Sequence, residues 1–146
     1  MEDDAEIADE IKCLMAEITA AFHGVPRPST TRSVSDGIDD EWIISVERAA
    51  ELAALDPEQC WEDVTDEAIE NSQNYFTFSD DEGWQFYLPA YMMHWLRSFP
   101  LGYNAICEVC VLADPRFDAL DPRQLAVTRW FIEFYWRMVR SGRVSH

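Results

Sequence analysis

Lysine is almost missing from this chain. One lysine, Lys12, stands beside ten arginines, while aspartate and glutamate together number 28, and the net charge is −17. So little positive charge leaves no basic stripe for a phosphate backbone, which excludes direct nucleic-acid binding and disfavours anionic lipid. No apolar run approaches the ~18 residues of a membrane-spanning helix. The five glycines are scattered, so no glycine-rich loop cradles a phosphate. No segment repeats at a fixed period, which excludes a solenoid. Sustained apolar–polar alternation is also missing, so nothing predicts a sheet. The opening residues, MEDDAEIADE, are acidic where a secretory signal would be positive, and the chain reads as cytoplasmic.

Against these absences, 48% of residues are hydrophobic and 13% aromatic, which a disordered acidic chain would not carry. The length of 146 residues suits one domain with a real core. The expected fold is all-α: a single acidic domain over 1–146, a compact bundle of five to six helices. The charge is uneven. Residues 1–82 hold 23 Asp/Glu against four Lys/Arg, a net −19, and residues 83–146 hold five against seven, a net +2.

The chain organises around Phe76 to Tyr103, with nine of its nineteen aromatics. Ser79 and Glu82 have the spacing of a capping box, and Trp84, Leu88, Tyr91, Met92, Trp95, Leu96 and Phe99 follow at helical steps. Pro89 predicts a kinked or broken central helix, with the disturbance between Gln85 and Leu88. Residues 3–23 read as an amphipathic helix carrying Ile7, Ile11, Leu14, Ile18 and Phe22. Residues 24–39 read as a loop, in which Arg27 and Arg32 beside serines and threonines suggest either an anion site or plain solvation. A second helix is expected over 40–55 with Trp42, Val46, Ala49, Ala50, Ala53 and Leu55 inward, and Asp56-Pro57-Glu58 restarts the chain. Trp61 is expected to be buried. Thr65 caps a helix over about 66–74. Tyr75–Phe78 has the composition of an extended piece. Asn104–Ala113 reads as a buried apolar helix closed by Asp114-Pro115. Asp121-Pro122 opens a last helix, carrying Val127, Trp130, Phe131, Phe134, Tyr135 and Met138, that Ser141-Gly142 ends.

Trp61, the Phe76–Ser79 stretch and Tyr87-Leu88-Pro89-Ala90-Tyr91-Met92 together resemble a family of small, uncharacterised bacterial proteins. That family shows an early tryptophan, an F-x-F-S stretch, an acidic helix start and a Y-L-P-A-Y-M segment. The resemblance covers roughly residues 41–140. It implies a single helical domain and no chemistry.

Three constellations bear on chemistry. Cys107-x-x-Cys110 lacks a second pair or spaced histidines for zinc, and its apolar surroundings make the thiols inert. All four cysteines are expected to be reduced and buried. His94 is a candidate base with a carboxylate, although no nucleophile motif accompanies it. The carboxylate clusters are Asp39-Asp40-Glu41, Glu62-Asp63, Asp66-Glu67 and Asp80-Asp81-Glu82. None has the calcium-loop pattern, and helix capping accounts for most of them locally. No cofactor or metal is implied.

The total charge is left over. It predicts an acidic protein of the inhibitor or immunity type, which masks a basic protein surface such as that of a nuclease. The ten clustered carboxylates are then its partner-binding residues. The alternatives are a small enzyme around His94 and an acidic soluble protein without a macromolecular partner.

Overall fold

The computed structural model of the protein describes residues 2–73, 75–101, 103–110 and 115–144. All regular structure among them is helical: α1 (Asp4–Ala21), α2 (Arg32–Glu41), α3 (Val46–Ala53), α4 (Asp66–Asn71), α5 (Tyr75–Phe78), α6 (Asp81–Ser98), α7 (Ile106–Val109) and α8 (Pro122–Arg140), with 3-10 turns at Trp61–Asp63 and Pro115–Ala119. No helix among the described residues is long and apolar enough to cross a membrane.

The centre is α6. Twelve of its eighteen residues are buried, so it is apolar nearly all round, as a helix enclosed by others must be. Trp95 packs on Phe131 and Tyr135 of α8, with ring centroids 5.5 Å apart in both cases. At the other end Trp84 meets Phe76 at 5.3 Å and Phe117 at 5.4 Å, and the Arg116 guanidinium lies over its ring. The helix is continuous through Pro89. Of the kink or break expected there, the break is not found. Proline removes only the one hydrogen bond its nitrogen would have donated, and close packing around α6 holds the flanking turns together.

The long helices start where their caps dictate. Asp121 caps α8 in a full capping box with Gln124, and Thr65 Oγ1 accepts from the Ala68 N–H to start α4. The α6 start differs from the capping-box reading. Asp80, not Ser79, is the N-cap, and its Oδ1 accepts from the Gly83 N–H at 2.9 Å. Gly83 belongs to this corner for a steric reason. A Cβ there would stand 2.1 Å from the Tyr75 hydroxyl, which donates to the Thr30 carbonyl at 2.7 Å.

Helices α1 and α8 pack on one another and answer each other's charges. Arg137 bonds Glu2 and Glu10, Arg143 bonds Asp4, and Arg123 bonds Glu17. The acidity of the first helix is therefore partly neutralised by arginines from the far end of the chain.

Several expectations need correction. The 24–39 loop ends early, because α2 begins at Arg32. Its local apolar signal is only Val34 and Ile38, and long-range bonds create the helix. The helix expected over 40–55 is confined to Val46–Ala53, capped by Ser45, whose Oγ accepts from the Arg48 N–H. Asp56-Pro57-Glu58 starts no helix; its two acids turn inward. Tyr75–Phe78 is a helical turn. The helix expected over Asn104–Ala113 is found at Ile106–Val109, and Val111–Asp114 lie outside the described residues. Cys107 and Cys110 are buried as expected, but Cys13 and Cys60 are exposed.

Candidate functional site

The segment from Arg27 to Glu58 is built on buried charge. The Arg27 guanidinium donates to the carbonyls of Ala53, Asp56 and Glu58. Arg32 meets Glu58 in a two-point pair, 2.6 Å from Nε to Oε1 and 3.0 Å from Nη2 to Oε2. It also lies 3.3 Å from Asp56. Tyr87 of α6 donates its hydroxyl to Glu58 at 2.8 Å, and Ser33 donates both its N–H and its Oγ–H to Asp56. Burial alone pushes the Glu58 carboxyl up, but the Arg32 guanidinium, its own backbone N–H and the Tyr87 hydroxyl outweigh it and hold the group below the usual carboxylate range. The bond to Glu58 first, and then the nearby Asp56 carboxylate and Tyr87 hydroxyl, hold the Arg32 pKa above its ordinary value against burial, which lowers it. Both arginines are thus committed within the protein, which removes the anion-site reading of the 24–39 segment.

This anchor sets the pairing of α2 and α3. Ser33 bonds Asp56, Gly37 faces Leu52 and Glu41 bonds Arg48, a steady antiparallel register that defines a helical hairpin. Gly37 allows the approach, because a Cβ there would lie 2.4 Å from Leu52 Cδ1. Between the helices is a cleft of about 350 Å³ lined by Ser33, Asp36, Asp40, Glu41, Arg48, Leu52 and Leu55. Burial pushes the Asp36 pKa up, and repulsion from Asp40 and Asp56 adds to it.

The hairpin tip is a γ-turn. Trp42 has φ 64° and ψ −51°, and the Ile43 N–H donates to the Glu41 carbonyl at 2.7 Å. That is the rare, strained form of the turn, and a bulky residue with positive φ is an outlier. Its side chain is not held by the core. Trp42 is 76% exposed, Ile43 82% and Val46 83%. The apolar face expected for the second helix is therefore turned outward at Trp42, Val46 and Leu55, and the helix is buried through Leu52 instead.

All ten predicted partner-binding carboxylates are exposed, in three separate places. Asp39, Asp40 and Glu41 form the last turn of α2 beside the tip. Glu62, Asp63 and Asp66 line a second cleft, of about 340 Å³, with Trp61, Ala90, Met93 and Arg97; Glu67 follows in the first turn of α4. Asp80, Asp81 and Glu82 sit at the start of α6. Asp81 and Met93 are about 18 Å apart along that helix, at 1.5 Å per residue. Glu41 pairs with Arg48 and Asp66 with Arg97. Glu62, Asp63, Glu67, Asp81 and Glu82 have no ion pair among the described residues.

Local helix physics explains some of these acids. Asp66, Glu67, Asp80, Asp81 and Glu82 face the positive end of a helix dipole. Asp39, Asp40 and Glu41 do not. They sit at the negative end of α2, where carboxylates are disfavoured. The reading of the clusters as helix starts is wrong for these three.

His94 is buried within a hydrogen-bonded corner. The Asn104 amide nitrogen lies 2.9 Å from His94 Nδ1 and donates to the Tyr91 carbonyl, while Asn104 Oδ1 accepts from the Ile106 N–H. Nε2 lies 3.6 Å from Glu70. Accepting from the amide puts the imidazole proton on Nε2, and the ring ties α6 to the segment before α7. Burial raises both thiols of Cys107 and Cys110. Among the described residues no group of three or more His, Cys, Asp or Glu side chains is placed to hold a metal ion.

Sequence reasoning found the acidic clusters and missed the tip. The only sequence sign was that Trp42 and Ile43 stand directly after three acids, with Val46 three positions on; that these side chains are exposed together is visible only in the structure. No curated protein and no solved structure matches the chain. A family model described as a family of unknown function (DUF6714) matches residues 10–146.

Proposed function

We propose, from the premise that the chain belongs to this family of unknown function, that the protein binds and masks a basic surface of another protein, as inhibitor or immunity proteins do. The observation that carries the reading is the position of Asp39, Asp40 and Glu41. They are exposed at the unfavourable end of α2, so the helix dipole does not account for their gathering there; Arg48 answers Glu41 within the hairpin, and the exposed cluster as a whole suits a positively charged partner. The surrounding charge supports it. Residues 36–82 hold sixteen Asp/Glu and one arginine, a net −15. Arginines from elsewhere reach Asp56, Glu58 and Asp66 in this region, and Arg123, Arg137 and Arg143 answer part of the α1 acidity. Such a field repels nucleic acid directly and speeds encounter with basic proteins. The partner of this kind is a nuclease or another nucleic-acid-binding protein, which the acids cover where its own ligand would bind. The F-x-F-S and Y-L-P-A-Y-M strings and a bacterial source go with the same proposal. So does the cytoplasm, where exposed thiols such as Cys13 and Cys60 stay reduced.

The test is affinity capture from the source cell at low and high salt, with wild type and D39N/D40N/E41Q as baits. The expected result is a basic protein that wild type retains at low salt, and that high salt or the triple variant releases. Capture of no basic protein at low salt, or equal capture by the variant, overturns the reading.

A further inference from the structure

Resting on that reading, we infer that the α2–α3 tip is the docking element, with Trp42 the anchor that enters an apolar pocket ringed by basic residues on the partner. Trp42, Ile43 and Val46 lie within five positions of one another across the turn and are almost fully exposed. Tryptophan is among the commonest residues at binding hot spots. Here it occupies a backbone conformation that costs stability, an outlier of the kind that points to a functional role.

Charge decides the occupant. The segment 36–51 carries six acids and one arginine, a net −5, and Asp39, Asp40, Glu41 and Glu47 around the tip are exposed. A second copy of the chain would bring two such rims together in a self-complementary contact, and like charges in contact are repulsive. Anionic lipid is repelled by the same rim. A basic surface with an apolar pocket satisfies both parts, because the carboxylates steer the approach and the indole supplies the buried contact.

The experiment uses the full chain and a random peptide library displayed on phage. Peptides selected by wild type are synthesised, and their affinity is measured for wild type, Trp42→Gly, Ile43→Ser and D39N/D40N/E41Q, with a thermal melt of each protein. The expected peptides combine Arg or Lys with large apolar residues. Trp42→Gly weakens them at least tenfold while its Tm equals or exceeds that of wild type, because glycine accepts the positive φ without strain. Ile43→Ser keeps the turn and weakens them less. Wild-type affinity in Trp42→Gly together with loss in the triple variant overturns the anchor and leaves the acidic reading standing. Selection of no basic peptides overturns both. A concentration-dependent dimer in sedimentation that Trp42→Gly abolishes makes the tip a self-association surface and overturns the proposed occupant.

Discussion

Arg32 and Glu58 form a two-point ion pair whose carboxylate is 1% exposed, and it locks the first turn of α2 against the strand of chain after α3. Twenty-six positions separate the two residues. Removing one partner of such a pair strands a buried charge, which costs about 3–5 kcal/mol. Arg32→Met leaves both Glu58 and Asp56 without a counter-charge. It is expected to lower stability by about that amount in urea unfolding, and the second change Glu58→Leu recovers part of the loss. Equal stability of Arg32→Met and wild type would show that the pair does not hold the hairpin.

Two carboxylates of this region respond to pH in opposite directions. Glu58 has a folded pKa below its ordinary value of 4.5, so its stabilisation is complete above that value and is lost as pH falls through the folded pKa. Asp36 has a folded pKa above its ordinary value of 3.8. The folded state therefore loses stability as pH rises from that value through the folded pKa, and the full penalty remains at pH ~7. Asp36→Asn is expected to raise Tm near neutral pH, with the gain shrinking on acidification towards the ordinary aspartate range. A gain that is constant with pH points to packing and not to charge.

Gly83 and Tyr75 occupy space that only one of them can enlarge into. Gly83→Ala puts a methyl 2.1 Å from the Tyr75 hydroxyl position. It is expected to cost about 1–3 kcal/mol through overpacking and loss of the bond to the Thr30 carbonyl. Tyr75→Phe removes the oxygen, so Gly83→Ala costs less in that background. Additive effects in this double-mutant cycle would disprove the steric coupling.

Asn104 is fully buried and serves three partners: His94 Nδ1, the Tyr91 carbonyl and the Ile106 N–H. Asn104→Ala leaves His94 Nδ1 and the Ile106 N–H without this partner, while the Tyr91 carbonyl keeps its place in the α6 ladder; the cost is about 1–3 kcal/mol for each group that finds no replacement. The expected outcome is a lower Tm and faster amide exchange at Ile106. Exchange at Ile106 that is unchanged from wild type would mean that the side chain does not protect it.

Much of the fold was legible because its signals are local. Helices α1, α6 and α8 carry apolar residues at helical steps over many turns, and Thr65 and Asp121 cap the residues that follow them. The single tryptophan expected at the corner, Trp61, is buried and donates to the Phe22 carbonyl. The match of the family model to residues 10–146 extends beyond the span the motif strings suggested. Helix α2 was read as loop because its ten residues contain two large apolar side chains, a glycine and two serines. Its stability comes from Asp56, Leu52 and the Tyr75 carbonyl, none of which is a sequence neighbour.

The sequence by itself determined an all-helical protein with an aromatic centre and an acidic first half, because periodicity, caps and charge are properties of neighbouring residues. Only the tertiary structure decided which of those acids stay unanswered. Arginines of α8 fold back onto α1, and Arg27 and Arg32 turn inward. The hairpin register fixed by the Arg32–Glu58 pair then leaves Trp42 standing at an exposed acidic tip. Chain reversal brings distant residues into contact, and one-dimensional spacing does not specify which side chains remain outside.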